Sequence, residues 1–353
     1  MLHVVSIMQV KYLVKSGQAI MNNLTYIVTG ATGHLGSHIV QKLVMNDCRV
    51  RVLVLPNETC YKFIKKSNNN LHEYVGNICD KASLERIFSE DVPNEIIVIH
   101  CAGLISITKK EEHRLFDINV GGTSNIIKMC KQYPVKRLVY ISSIHAIPSL
   151  PYGQIIKEID NFNPDKVTGY YDKSKAIATQ LVIDAGKAGL DTVILHPSGI
   201  IGPNGSVTGN MSYLINRFIN GKLPFAIRGA HDFVDVRDVA DGVISAATKG
   251  KRGECYILSN RLIGFDELFD TLSEICGNKK KLLFLPLWVA KAIAPLAELY
   301  YWISHKTPLV TIYSLRKLSE CNTYSCTKAE ADLNYRTRPL QNTLKDTIIG
   351  IKP

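Results

Sequence analysis

The stretch Thr29-Gly30-Ala31-Thr32-Gly33-His34-Leu35-Gly36 stands between two runs of different period. Before it, Leu24 to Val28 is a short apolar run that reads as a buried strand. After it, Ser37 to Val44 repeats its apolar residues at helical spacing. A strand, a glycine-rich turn and a helix in that order restrict the chain to an α/β architecture with a phosphate cradle. Glycines let the turn close tightly and let a pyrophosphate approach the backbone. The helix N-terminus offers free N–H groups and the positive end of its dipole. Gly30, Thr32, Gly33, His34, Leu35 and Gly36 are therefore candidate dinucleotide-binding residues. Three spaced glycines also fit an ordinary strand-to-helix turn, so the rest of the chain has to discriminate.

It does so by alternation. Arg49 to Leu55 alternates Val50, Val52 and Val54 and reads as a second strand. His72 to Val75 suits a third, followed by Gly76-Asn77-Ile78 and a helix from Ser83. Ile96 to His100 is a buried strand ending in Cys101-Ala102-Gly103, small residues against which a cofactor can lie. Phe116 to Lys131 reads as one long helix carrying Asn119, and Arg137 to Ser142 as the next strand. This rhythm predicts a doubly wound parallel sheet with helices on both faces. An acid at the end of the second strand would mark NAD, an arginine NADP. Leu55-Pro56-Asn57-Glu58 gives neither signal; Glu58, Lys62, Lys65 and Lys66 leave NAD or NADP open.

The strand Leu138 to Ile141 runs into Ser142-Ser143, and Tyr171-Asp172-Lys173-Ser174-Lys175 opens a helix reaching about Ala188. A spacing of four puts Tyr171 and Lys175 on one helical face. A free tyrosine titrates near pH ~10, too high for a general base at neutral pH; a neighbouring ammonium is expected to lower that value. A serine hydroxyl from the strand end would hold the substrate oxygen. Tyrosine and lysine four apart also occur on plain amphipathic helices, and it is the glycine motif and the order of the elements that favour chemistry.

The chain's 353 residues allow one large α/β domain and a smaller lobe. Residues 1–20 read as a leader of little structural role, with no secretory pattern. Residues 21–200 read as the dinucleotide-binding domain, with a returning strand near 254–258. Residues 201–353 read mainly as a substrate-binding lobe, with a helix at Met211 to Asn220, a strand at Leu223 to Arg228 and a further helix after Phe233 to Ala240. The formal charge of +11 includes a single run of three lysines, Lys279-Lys280-Lys281. A solvated loop explains that run more cheaply than a nucleic-acid arm, so no nucleic-acid partner is expected, and the charge is compatible with an anionic ligand. Nine scattered cysteines without a CxxC pair fit reduced thiols in a cytoplasm and no metal site. Leu282 to Ile303 is very apolar, but Pro286, Lys291, Pro295 and Glu298 interrupt it as a membrane span. Core packing, an apolar substrate wall and a weak membrane-surface contact are its three readings. Homodimerisation stays open.

From about Leu24 to Leu344 the sequence resembles the extended short-chain dehydrogenase/reductase family, the group that includes NAD-dependent epimerases/dehydratases. The resemblance rests on the 29–36 motif, Asn119 followed by Val120-Gly121-Gly122-Thr123, the Ser142-Ser143 strand end, the Tyr171/Lys175 pair, and His196-Pro197-Ser198-Gly199. It implies a Rossmann-like fold and hydride transfer at a C–OH/C=O centre. Tyr171 would exchange the proton, Lys175 would hold the nicotinamide ribose and tune Tyr171, and Ser143 (with Ser142 as substitute) would bind the substrate. Pro197 and Ser198 would line the nicotinamide. Asn77, Ile78, Cys101, Ala102, Gly103 and Asn119 complete the expected cofactor set. The family usually has aspartate where this chain has Asn77, which implies altered adenine contacts.

Three positions bear on the branch. His231 stands where nucleotide-sugar epimerases usually carry an arginine for the diphosphate. His145 stands where they tend to carry threonine, and Ile144 where dehydratases place an acid. The chain is thus more similar to the dihydroflavonol-reductase and 3β-hydroxysteroid-dehydrogenase-like branch, with a small, largely apolar substrate. A nucleotide-sugar epimerase and a non-catalytic dinucleotide sensor remain as alternatives; an intact Ser143, Tyr171 and Lys175 set speaks against the sensor.

Overall fold

Strand β1 (Leu24–Thr29) is buried along its whole length, as a strand covered on both faces must be. It lies inside a seven-stranded parallel sheet, between β2 (Arg49–Val54) and β4 (Glu95–His100). Beyond β2 lies β3 (Leu71–Val75). Beyond β4 follow β5 (Val135–Ile141), β7 (Thr192–Pro197) and β11 (Cys255–Leu258), giving the order β11-β7-β5-β4-β1-β2-β3. The computed structural model describes residues 24–60, 69–90, 95–106, 112–205, 210–277, 282–304 and 311–351. The expected leader, Lys62, Lys65, Lys66 and Lys279 to Lys281 lie outside them.

Helices α1 (His34–Met45) and α6 (Val236–Lys249) cover one face of the sheet, where Val28, Ile39, Val50 and Val239 belong to one core. Helices α2 (Lys81–Ser89), α3 (Glu112–Gln132) and α4 (Tyr170–Lys187) cover the other, around Ile27, Leu84, Ile126 and Val182. Strand order reverses between β1 and β4, which opens a crevice at their carboxyl ends, where such folds bind ligands. Thr29 and His100 are in register there, so the glycine turn and the 101–103 segment leave the sheet side by side.

Helix α3 departs from the single regular helix expected over Phe116 to Lys131: residues Asp117–Gly122 form a π turn. The wider turn accompanies an inward Asn119, whose side chain accepts from Leu104 N at 2.7 Å and donates to Leu104 O at 3.0 Å and Ser174 Oγ at 2.9 Å. Such turns gather at functional sites.

The smaller lobe is built from β8 (Gly199–Ile201), α5 (Asn210–Ile219), β9 (Phe225–Ile227), β10 (Ala230–Asp235), β12 (Arg261–Gly264), α7 (Phe265–Cys276) and α11 (Leu340–Ile351). Phe218, Phe233, Phe265, Phe269 and Leu344 share its core. Strand β13 (Leu283–Leu285) pairs with β9, and helix α8 (Leu287–Ser304) follows. Along the first part of α8, Ala290 and Ala294 are buried with Ile227 and Leu315, whereas Trp288 is 74% and Leu296 70% exposed. Among the described residues no helix is long and apolar enough to cross a membrane. Helix α9 (Ile312–Glu320), strand β14 (Thr323–Tyr324) and helix α10 (Thr327–Leu333) bring the chain back to the main domain, where β14 pairs with β6 (Ile155–Ile156).

Candidate active site

The three glycines of the turn serve different ends. Gly30 has φ +67°, and a Cβ there would lie 2.6 Å from Ala102 N. A Cβ on Gly36 would lie 2.1 Å from Gly30 O. Both are glycine because the protein's own backbone comes that close. Gly33 is exposed, and a Cβ on it would meet only Gly30 O, at 3.2 Å. The fold presses on this position far less than on Gly30 or Gly36, which leaves its backbone open to a ligand. Gly33 is also the N-cap of α1 and contributes no side-chain cap, so the helix presents its N-terminal N–H groups. These features fit a dinucleotide pyrophosphate.

The other expected cofactor residues divide into framework and rim. His34 and His38 both turn their Nε2 to Pro203 O, each at 3.0 Å, tying α1 to the loop after β8. Leu35 is core. Ile78 is buried under Gly122, and Asn77 is exposed, its Oδ1 accepting from Cys79 N at 3.0 Å. Asn119 is fully engaged by Leu104 and Ser174, so it shapes the 103–104 backbone. The Thr32 hydroxyl donates to the Glu58 carboxylate, which brings that acid to the turn despite its late place in the sequence.

At the end of β5 the two serines meet different turns of α4. Ser142 Oγ is 2.6 Å from Thr179 Oγ1, inside the packing of α4. Ser143 lies on the Tyr171 side, where its side chain favours the ionised phenol, and its Oγ accepts from His145 N at 3.2 Å. Its carbonyl is held by His196 Nδ1 at 3.0 Å, and the His196 ring stacks on Phe162 at 5.1 Å. Pro197 and Ser198 follow, buried at the end of β7. Lys175 Nζ donates to Ile141 O at 2.9 Å, and a Cβ on Gly103 would lie 3.4 Å from it. Cys101, Ala102 and Gly103 thus bring the end of β4 against both the glycine turn and the lysine.

The expected lowering of the Tyr171 pKa by Lys175 is not found. Burial first, then the adjacent Asp172 charge, raise the phenol to about 12; only the Ser143 side chain opposes them. The lysine's charge is directed at a carbonyl, and burial lowers it to about 8. At neutral pH Tyr171 keeps its proton and is an acid.

Sequence reasoning missed the neighbourhood behind this tyrosine. The His145 ring stands edge-on to Tyr171 at 5.7 Å and stacks on His231 at 5.9 Å. Desolvation lowers both histidines to about 3, so both are neutral. Asp172, 0% exposed, takes a hydrogen bond from the Tyr313 hydroxyl and an ion pair from Lys317 at 2.8 Å. Lys317 also pairs with Glu320 at 3.0 Å. The pocket wall running on from His145 and His231 is polar, with Ser149, Lys317, Glu320 and Asn322 on it. His145 and His231 were visible as odd positions in the sequence. No local pattern ties Asp172 to Lys317.

Residues 26–259 match the model of the NAD dependent epimerase/dehydratase family. The chain belongs to that family. It is an NAD(P)-dependent oxidoreductase of the extended short-chain type, working on a C–OH/C=O centre of a small molecule. It is similar to "Sterol demethylase protein B" of Methylococcus capsulatus, 29% identical over 307 residues, covering 84% of this chain and 88% of that protein. It is also similar to "Putative dihydroflavonol 4-reductase" of Synechocystis, 28% identical over 327 residues, covering 92% and 93%. The crystal structure of gox2253 superposes with a TM-score of 0.78 at 28% identity, covering 93% of this chain and 98% of that one.

Proposed function

We propose that the enzyme reduces a ring ketone to a secondary alcohol, with Tyr171 as proton donor, Ser143 as the group that holds the substrate oxygen, and Lys175 as the cofactor-side cation. The observation that carries this is the convergence of Ser143, the buried Tyr171 and Lys175 at the strand ends beside the glycine cradle, where Lys175 Nζ would lie 3.4 Å from a Cβ on Gly103 and the phenol is protonated at neutral pH. The turn at Gly30, Thr32 and Gly33 and the N-terminus of α1 would hold the pyrophosphate; Ala102, Gly103, Lys175, Pro197 and Ser198 would flank the nicotinamide ribose. The reduced nicotinamide, when bound, supplies the hydride to the carbonyl carbon. As the C=O bond breaks to a single bond, Tyr171 gives its proton to the oxygen and the Ser143 hydroxyl keeps that oxygen aligned. Exclusion of water by the buried Tyr171 and Lys175 strengthens these contacts.

The substrate class follows from two supports. The names of the relatives point to sterols and dihydroflavonols, which carry ring hydroxyl or keto groups. Among the described residues of the pocket no cation is free for a diphosphate: His145 and His231 are neutral, and Lys317 is shared by Asp172 and Glu320. The polar wall narrows the earlier expectation of a largely apolar substrate, since one end must make hydrogen bonds. Glu58 at the glycine turn supports NAD over NADP, because its charge opposes a 2′-phosphate. The test is a panel of a 3-ketosteroid, a dihydroflavonol and UDP-glucose, each with NADH and NADPH. Net cofactor oxidation with a ring ketone is expected. Interconversion of UDP-sugars without net cofactor turnover would establish the epimerase reading instead.

A further inference from the structure

The buried Asp172 takes no part in the proton transfer just described, yet three side chains from two other elements converge on it. From α9, the Tyr313 hydroxyl donates to Oδ1 and Lys317 Nζ lies 2.8 Å from Oδ2. From the 3-10 turn Ile144–Ala146, His145 Nδ1 lies 3.4 Å from Oδ1; that ring is neutral, so the contact is dipolar. The carboxylate belongs to the first turn of α4, next to Tyr171. The chain is shaped to admit this arrangement. Gly169, immediately before α4, has φ +111°, and a Cβ on it would lie 2.3 Å from Tyr313 Cε2. The Tyr313 ring therefore sits on a position that only glycine leaves free. The start of α9 is fixed as well, by a capping box in which Thr311 and Ser314 exchange hydrogen bonds.

We propose that Asp172, Tyr313 and Lys317 form a clasp from the C-terminal lobe that sets the aim of the Tyr171 hydroxyl. Its members are positioning residues. The clasp fixes the first turn of α4 and, through His145, the edge of the Tyr171 ring and the backbone N–H that Ser143 Oγ accepts. A fully buried carboxylate is a costly way to attach one helix to another, and apolar residues of the same volume would often do as well. An ion pair and a directed hydroxyl instead fix an angle, and small errors in aim at a reacting group cost ~100-fold in rate. The lobe that covers the substrate would thereby also complete the proton donor.

The proposal rests on Tyr171 being the acid, and the experiment separates the two. Full-length Lys317→Met, Lys317→Arg, Tyr313→Phe and Tyr171→Phe are compared on the ring ketone that turns over fastest. Tyrosine is isotope-labelled at the ring carbon bearing oxygen, and Tyr171→Phe assigns the Tyr171 resonance. Lys317→Met is expected to lower kcat about tenfold or more, with KM and NADH affinity within about twofold, and to shift the Tyr171 resonance. Lys317→Arg should restore most of both. Tyr313→Phe keeps the ring on Gly169 and removes only the hydroxyl; it should shift the same resonance even if Lys317→Met does not fold. An unmoved resonance and unchanged kcat in Tyr313→Phe and in folded Lys317→Met would overturn the clasp while leaving Tyr171 as the acid. Full turnover in Tyr171→Phe would overturn both.

Discussion

The cofactor cradle and the surroundings of Tyr171 are built on opposite plans. The cradle is local: Gly30, Gly33 and Gly36 lie within one turn, and their close approaches are to backbone a few residues away or to the adjoining end of β4. The tyrosine's setting is assembled from β5, α4, β10 and α9, and its strongest link joins Asp172 to Lys317 across the chain. A local device can be damaged at one function at a time. A convergent device couples function to the docking of a whole lobe.

The cradle gives the largest expected effects and the sharpest contrast. Gly33→Val should abolish dinucleotide binding while thermal unfolding stays near wild type, since its Cβ meets only one carbonyl oxygen, at 3.2 Å. Gly36→Val should do the reverse and fail at the level of the fold, because its Cβ would fall 2.1 Å from a backbone oxygen. Unchanged affinity by calorimetry in a folded Gly33→Val variant would reject this cradle.

Next in size is the acid. Tyr171→Phe keeps the ring and its packing and should lower turnover at least ~100-fold, with cofactor affinity nearly unchanged. Lys175→Ala should weaken both. Tyr170, about 100° away around the helix, should tolerate Phe; steady-state kinetics of the two tyrosine variants would show a reversed assignment at once.

A smaller effect separates the clasp from ordinary packing. Burial raises Asp172 to about 6 against an ordinary 3.8, with Glu320 acting in the same direction and Lys317 and Tyr313 opposing it; His145 and Tyr171 are its other neighbours. A carboxyl raised by folding stabilises the fold while protonated, and that contribution is lost as pH rises through about 6. Unfolding free energies from pH 4 to pH 7, read by denaturant titration, should therefore decline in the wild type relative to Asp172→Asn. Turnover should change the other way, falling in the wild type as pH drops through about 6 and the ion pair is lost, with no such limb in Asp172→Asn. A flat stability difference across that window would mean that the carboxyl titrates alike in both states.

The smallest expected effect lies at the rim of the cradle. Glu58→Gln should raise the preference for NADP relative to NAD by roughly two- to fivefold, the range of one exposed charge contact. Competitive binding of the two cofactors measures it, and no change would remove Glu58 from cofactor selection.

The same division explains what the sequence made readable. Glycine spacing, strand alternation and the Tyr171/Lys175 interval are short-range patterns, and the doubly wound sheet and the crevice at Thr29 and His100 follow from them. The choice between Ser142 and Ser143 was not readable, because it depends on which serine meets Thr179, about two turns along α4 from Tyr171. The bracing of Leu104 by Asn119 was not readable either, since that partner is set by tertiary packing. The direction of the Tyr171 shift also depended on burial, which spacing does not report. The stretch from Leu282 to Ile303 read as uniformly apolar, yet Ala290 and Ala294 are buried against Ile227 and Leu315 while Trp288 and Leu296 are exposed.

The seat of Tyr313 on Gly169 also bears on how such a chain can change by descent. A side chain at 169 would demand that the ring at 313 be given up, and a smaller residue at 313 would free 169 from being glycine only as far as its φ of +111° allows. Position 169 is thus held to glycine twice, by the ring and by its own backbone angle, so libraries should recover almost nothing but glycine at 169 even when 313 is randomised with it.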